Sequence, residues 1–243
     1  MSDLRTLLAG ALGPIYRVER EVRPVGEYRQ FVVTTIPTGP ALLVKVVPAA
    51  TSLAIDAQRF ERDILLLAER LRHPNLVAPK GAGRAGSFIY HTRPFVAGTT
   101  LHAWIAKNGQ LPLARVVEII RGILAGLAHA HSQGLAHGDL GTEYVLLGED
   151  GVCIADVGLR RVLGHVASPR NDMADFVRLM YEMLTGEAPR EDGEPLERTR
   201  ALPPWLGEWA RSQWSDAGNA LAAFRPPPPP PPSFNQGAPQ PFA

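Results

Sequence analysis

AHGDLGTEYVLLGEDGVCIADVG, residues 136–158, sets two acidic points among turn-forming residues: His137-Gly138-Asp139 near its start and Asp156-Val157-Gly158 at its end. Between them lie two short apolar runs, Val145-Leu146-Leu147 and Val152-Cys153-Ile154-Ala155, joined by Gly-Glu-Asp-Gly. Apolar runs split by a Gly/Asp cluster predict a small β-hairpin. Such a hairpin carries one carboxylate at its entry and another at its exit, from which a metal or phosphate site could be built.

Working outward, the residues just upstream read as a long helix. Leu111-Pro112 opens it, Val116, Ile119, Ile120, Ile123, Leu127 and Ala130 recur at helical spacing, and Gly134 stops it. A shorter helix over Thr100–Lys107 precedes it. Downstream, Met173, Phe176, Val177, Met180 and Leu184 fall on one face of a helix over Asp172–Leu184, which ends at Thr185-Gly186. The segment 189–204 is polar and loop-like, and Trp205–Trp214 and Ser215–Phe224 predict two short helices. Seven consecutive prolines, 226–232, then open a tail of Pro, Gln, Asn and Gly that cannot pack a core.

The first hundred residues have a different rhythm. Residues 1–13 are helical in pattern. Tyr16–Val22, Gln30–Ile36 and Ala41–Val47 are rich in β-branched and aromatic residues and are separated by turn formers, which predicts a three-stranded antiparallel meander. Lys45 lies in the third strand. One helix is predicted from Thr51-Ser52 to Arg72, with Phe60, Ile64, Leu67 and Leu71 as its buried stripe and His73-Pro74 as its stop. Leu76–Pro79 and Ser87–Val96 read as two further strands around a loop at Lys80–Gly86.

The whole chain of 243 residues suits one ordinary or two-lobed domain. A net charge of +1 excludes a general nucleic-acid binder, which needs a concentrated basic face. The single cysteine, Cys153, excludes a disulfide framework and points to a reducing compartment. No apolar stretch approaches the ~20 residues of a membrane helix, and the start lacks the pattern of a secretion signal. A cytoplasmic protein with no membrane or nucleic-acid partner is expected.

Five strands with an inserted helix, followed by a mainly helical half, resemble the two-lobed plan of bacterial-type Ser/Thr protein kinases. Local sequences over roughly residues 14–224 agree in order. Leu42-Leu43-Val44-Lys45 is similar to the family's Val-Ala-Ile-Lys. Arg59–Asp63 followed by Leu71–Val77 resembles the regulatory helix and its exit, and Val96–Leu101 resembles the segment after the hinge. Ala130–Leu140 is similar to the approach to the catalytic loop. Ser168–Asp172 leading to Tyr181–Gly186 resembles the central helix of the helical lobe. The resemblance implies an α+β fold. A helical extension at 1–13 precedes an N-lobe at 14–97; a C-lobe with a shortened activation segment follows at 98–224, then a disordered proline-rich tail at 225–243.

It also implies sites, each with departures. ATP with Mg²⁺ is the family's cofactor pair. Lys45, Asp63, Val96 and Asp156 fall at nucleotide-binding positions, Asp156 at a metal position, and Asp139 at that of the catalytic base. The family's signature glycines fall on Arg23, Val25 and Tyr28, so the first turn reads equally as an ordinary hairpin. Gln30 stands where a β-branched residue covers adenine. Gly138, Gly141 and Tyr144 stand where the family has arginine, lysine and a metal-binding asparagine, and tyrosine is no compact Mg²⁺ ligand. Lys45 either pairs with Asp63 or lies exposed while Asp63 is solvated; an ungapped count puts Ile64 at the Asp63 position. Leu43 adds bulk over the purine site. Arg93 aligns with the gatekeeper, where it either ion-pairs inward with Asp156 or Asp63 or snorkels to solvent. His137, Asp139 and Asp172 carry an alternative reading as braces of the loop against the central helix.

Nine residues, Leu159–Ala167, separate Gly158 from Ser168 and hold no Ser, Thr or Tyr, where active relatives have a segment roughly twice as long. The expected function is a catalytically impaired kinase-like domain, a pseudokinase, acting as a binding or regulatory module, in which Asp139 is vestigial and Asp156 holds metal weakly. A weak or atypical Ser/Thr kinase and an ATP sensor without phosphotransfer are the alternatives. The expected partner is a protein, either another kinase or a proline-binding domain docking on 226–232; a disordered terminus is the other reading of that run.

Overall fold

A computed structural model describes residues 3–189 and 203–227. An N-terminal lobe is built on a five-stranded antiparallel sheet. The helix α1 (Leu4–Leu12) precedes strands β1 (Tyr16–Val25), β2 (Tyr28–Thr35) and β3 (Ala41–Val46). Helices α2 (Ala49–Ala54) and α3 (Ala57–Arg70) follow, then β4 (Leu76–Val77), β5 (Gly81–Ala85) and β6 (Phe88–Pro94). The sheet order is β1-β2-β3-β6-β5. Alternation places Phe31, Val33, Leu42, Val44, Val46 and Tyr90 on one apolar face, where Leu4 and Leu8 of α1 complete a small core. The N-terminal helix is thus part of the lobe rather than an appendage.

Two expectations about this lobe are corrected. The predicted helix from Thr51 to Arg72 is two helices, because Ile55 turns extended and the Asp56 carboxylate caps the second by accepting from the Arg59 N–H at 2.7 Å. The fourth strand of the sheet is Gly81–Ala85, in the expected loop, paired with β6 from Ala85–Phe88 to Gly81–Thr92. Leu76–Val77 instead joins the hairpin of the second lobe, parallel to its strand at Gly151–Ala155. Its strand character comes from that distant partner, which local pattern does not reveal.

The second lobe comprises β7 (Gly98–Thr100), α4 (Leu101–Asn108), α5 (Leu113–Ser132), β8 (Val145–Gly148), β9 (Gly151–Ala155), α6 (Leu159–Val162), α7 (Pro169–Thr185), α8 (Pro204–Arg211) and α9 (Ala217–Ala223). The hairpin predicted at 145–155 forms, with Gly148 opposite Gly151, in a small sheet of order β4-β9-β8-β7. The α5 stripe of Val116, Ile119, Ile120, Ile123, Leu124 and Leu127 is fully buried. At roughly 1.5–3 kcal/mol for each buried large aliphatic side chain, this stripe is a principal source of the lobe's stability. Close approach of α5 to the hairpin and to the segment before β4 depends on small residues: a Cβ at Gly122 would lie 2.9 Å from Val152 Cβ, and one at Gly126 2.9 Å from the Asn75 carbonyl oxygen. Asn75 then donates its side-chain amide to the Val152 carbonyl at 2.7 Å. The helix predicted at 172–184 begins three residues earlier, at Pro169, with Ser168 as N-cap and Gly186 in the left-handed conformation as its stop.

Most of the loop at 189–204 and most of the proline run, from 228 onward, lie outside the described residues. Among the described residues, no helix is long and apolar enough to cross a membrane.

Candidate functional site

The polar groups of interest gather where the underside of the five-stranded sheet meets the hairpin. Strand pairing sets Gln30 opposite Lys45, Lys45 opposite His91, and Leu43 opposite Arg93. Residues two apart along a strand share a face, so Gln30, Leu43, Lys45, His91 and Arg93 project together, and all five are buried. Four polar side chains on one buried sheet face demand partners.

Asp156 is the carboxylate they meet. Lys45 Nζ donates to Asp156 Oδ2 at 2.5 Å, with both side chains almost wholly out of solvent. Arg93 Nε lies 3.8 Å from Asp156 Oδ1, an electrostatic pair beyond hydrogen-bond reach. Burial alone would raise the Asp156 carboxyl; Lys45, His91 and Arg93 outweigh it and hold the group well below the usual carboxylate range. Burial pulls the Arg93 guanidinium below its ordinary value against the attraction of Asp156. It pushes His91 down to about 4, so this imidazole is neutral at pH 7. Neither ring nitrogen of His91 has a hydrogen-bond partner among the described residues, nor do Arg93 Nε and Asp156 Oδ1.

The backbone holds Asp156 in place. Its φ is +64°, unusual for a residue with a side chain, and Gly158 follows at φ +79°. Gly158 donates its N–H to the Ala136 carbonyl at 3.1 Å, and a Cβ there would lie 2.8 Å from Leu67 Cδ2. Two aromatic rings cover the lysine. Lys45 Nζ is 4.4 Å from the centre of the Tyr28 ring and 5.1 Å from that of Tyr144, within the range of a cation–π contact. Burial raises the phenols of both tyrosines, with nearby carboxylates adding to the effect, so both are neutral.

Asp139 is exposed, and its backbone N–H donates to His137 Nδ1 at 3.2 Å. The residues around it serve as a brace. Asp172 is fully buried and accepts from the His137 and Gly138 N–H groups, each at 2.7 Å. His131 Nδ1 accepts from the Ala217 N–H at 3.0 Å, so Nε2 carries the proton and donates to Asp172 at 3.0 Å. His137 Nε2 donates to the Ala155 carbonyl at 3.1 Å, tying the loop to the end of β9. The bracing reading of His137 and Asp172 is the one the geometry supports. Gly138 has φ +81°, and a Cβ there would lie 2.6 Å from the Ala167 Cβ.

Asp63 does not join the site. It pairs with Arg59 one turn earlier on α3 at 3.5 Å, with its side chain 34% exposed. Of the two readings of Lys45, neither pairing with Asp63 nor exposure holds: Lys45 is buried and turns to Asp156, Asp63 is partly solvated, and the inward position on α3 belongs to the buried Ile64. The ungapped register named the residue that faces the core. Val96 lies on the cleft wall, partly buried against the cluster of Val77, Leu146 and Ala155. Sequence reasoning missed His91 altogether. Its place two residues before Arg93 on one strand was the signal, since alternation puts both on the same face.

The cleft has two unequal parts. Under Leu43 is an open chamber of about 260 Å³, bounded by Val22, Gln30, Arg93, Val96, Tyr144 and Leu146. Around Lys45, Asp139 and Arg160, behind the two tyrosines, only about 20 Å³ is free. The two cations beside Asp156 oppose a divalent cation in this arrangement. One Asp156 oxygen is bonded to an ammonium and the other faces a guanidinium. Among the described residues, no three His, Cys, Asp or Glu side chains converge on a common point.

Comparison with known proteins decides the lineage. The family model described as protein kinase domain matches residues 31–178. The chain belongs to the protein kinase domain family. Relatives of this kinase domain include the serine/threonine-protein kinase PknL of Mycobacterium tuberculosis, 33% identical over 145 residues, which is 49% of this chain and 36% of that protein. A probable serine/threonine-protein kinase PknB of Lactococcus lactis is 31% identical over 156 residues, covering 54% of this chain and 25% of that protein. The kinase domain thus spans about a third or less of the length of these curated relatives. Among solved structures, the Mycobacterium tuberculosis PknI kinase domain superposes with a TM-score of 0.73 at 20% identity, covering 86% of this chain and 94% of that one. That likeness establishes the two-lobed kinase fold, with its antiparallel sheet and helical lobe, as expected from the sequence.

Proposed function

We propose that this protein kinase domain is catalytically impaired and serves as a binding or regulatory module. The observation that carries the reading is the closed cluster at Asp156. The carboxylate at the family's metal position is bonded to Lys45 at 2.5 Å and flanked by Arg93, and the rings of Tyr28 and Tyr144 cover the lysine. Phosphoryl transfer is catalysed by positioning and charge stabilisation around the phosphates and their metal ions. Here the groups that would supply both are spent on one another. Tyr144 and Gly141 at the asparagine and lysine positions, and a short α6 in place of a long activation segment, point the same way.

Asp139 retains the position of the family's base and is exposed, and its role is read as vestigial because Gly138, Gly141 and Tyr144 replace the groups the family sets around it. The partner of such a module is a protein: another kinase, or a proline-binding domain engaging 226–232 as an extended left-handed helix. An atypical, weakly active Ser/Thr kinase is the competing reading. Incubation of the full chain with radiolabelled ATP, Mg²⁺ or Mn²⁺ and a generic protein substrate separates the two. The module reading expects no label above that of Asp139→Asn, whereas label that disappears in Asp139→Asn establishes a kinase.

A further inference from the structure

We infer that the chamber under Leu43 is a metal-free site for a small organic anion, a flat apolar body bearing one carboxylate or phosphate group that Arg93 and Gln30 receive. The inference rests on the reading of Asp156 as a residue neutralised from within. Three observations carry it.

The first is charge. Lys45 and Arg93 are both buried, and Asp156 is the single carboxylate to which either is ion-paired among the described residues. Lys45 takes one oxygen of that carboxylate at 2.5 Å, and Arg93 Nε stands 3.8 Å from the other, with neither that nitrogen nor that oxygen hydrogen-bonded among the described residues. Two buried cations thus share one carboxylate, which leaves one positive charge in excess where buried charges are otherwise balanced. The second is an unused amide. Gln30 is 5% exposed and lines the same chamber, with no side-chain hydrogen bond among the described residues. Gln30 and Arg93 line this chamber from the strands on either side of β3, so a guanidinium and an amide both face it, groups that suit carboxylate or phosphate oxygens.

The third is the shape and polarity of the space. At about 260 Å³, the chamber falls just under the ~300–1,000 Å³ usual for small-molecule sites, so it suits one or two rings. Leu43, Val96 and Leu146 supply apolar walls, and Arg20 and Arg23 stand at the rim. Glu143 and Asp156 are its carboxylates; Glu143 lies beside Gly141, and Asp156 has Oδ2 bonded to Lys45 and Oδ1 facing Arg93. The inner end of the chamber is cationic, and the space around Lys45 is filled by tyrosine rings. An anion therefore enters head first toward Arg93 and needs no metal to shield it.

The test is calorimetric titration of the full chain with benzoate, phenyl phosphate and neutral benzamide, each in excess chelator. Benzoate or phenyl phosphate binds at least roughly tenfold more tightly than benzamide, the margin expected of one charge-assisted hydrogen-bonded pair. Which of the two is tighter identifies the acid group. In Arg93→Met, which keeps the Lys45–Asp156 pair charge-balanced, the anions lose that advantage while benzamide is unchanged. Gln30→Leu gives a smaller loss of the same kind. Equal binding of acid and amide, no binding of either anion, or an advantage that survives Arg93→Met overturns the inference. Label transfer from ATP together with Arg93-dependent anion binding supports the site and overturns the impaired-kinase reading. No anion binding and no label transfer leaves that reading standing and removes this one.

Discussion

Two residues decide the chemistry of this cleft by what they are bonded to. Asp156 is the shared counter-ion of two buried cations, so removing it leaves both Lys45 and Arg93 uncompensated, whereas removing Lys45 leaves Asp156 with Arg93 at 3.8 Å. Breaking a buried pair costs about 3–5 kcal/mol. Urea denaturation of Asp156→Asn should show a loss in that range and Lys45→Met a smaller one; the reverse order would rule out Arg93 as a second partner. His91 makes a separate prediction in pH. Its folded-state value of about 4 lies below the 6.5 of an unperturbed imidazole, so the unfolded chain takes up its proton first as pH falls. Its contribution is fully present above pH 6.5 and is lost as pH drops toward 4, amounting to about 3 kcal/mol. Burial is the largest influence against its protonation, Lys45 and Arg93 add to it, and together they outweigh the attraction of Asp156. His137 and His73 are also lowered by burial and slope the same way. Asp156 acts in a lower window: its depressed folded value gives stability that is lost only as pH falls below the unfolded carboxylate value of about 3.9. Denaturation of His91→Leu from pH 7 to 4 should show a shallower loss than the parent chain, by up to that 3 kcal/mol; parallel profiles would contradict the burial of a neutral imidazole.

Elements whose geometry is set by their own residues were legible, and those set by a distant partner were not. The hairpin at 145–155 follows from apolar runs and a Gly/Asp turn, and α5 and α7 from their stripes and stops. β5 escaped notice because Gly81-Ala82-Gly83 has no side-chain alternation; pairing with β6 makes it a strand. Leu76–Val77 left the predicted sheet because its partner, Ile154–Ala155, lies far along the chain. The break in the long helix was signalled by Asp56, an N-cap read as part of the helix. At the site, Asp156, Arg93, Tyr144 and Leu43 were named from the sequence, but spacing alone could not say which carboxylate Lys45 meets. Asp63 lost that role because it sits beside Arg59 at the edge of the buried stripe. The strongest element-level joint is Asp172, whose oxygens receive two backbone N–H groups of the loop and the His131 imidazole. Asp172→Ala strands these donors in a buried place, and stability should fall by about 3 kcal/mol or more. Asp172→Asn, which keeps one accepting oxygen, should lose less. Equal losses would mean the side chain fills space rather than anchors the loop to α7.

At the scale of the whole molecule, the kinase architecture is intact: two lobes, a cleft between them, and the catalytic loop braced to the central helix. The brace adjoins the cleft, with the His137 ring 4.8 Å from that of Tyr144, but its anchoring hydrogen bonds run through the backbone and Asp172. His137, Asp172 and Gly158 position the loop through backbone contacts that involve neither metal nor nucleotide. A chain can therefore keep the fold while its cleft polarity changes, and here one carboxylate, Asp156, is shared by two buried cations, Lys45 and Arg93, with two tyrosine rings over the lysine. The most direct test of that account is transfer of label from radiolabelled ATP by the full chain in Mg²⁺ and in Mn²⁺, with Asp139→Asn as the reference. The account predicts the same background signal from both proteins under both metals. Metal-dependent label present in the parent chain and abolished by Asp139→Asn would contradict it.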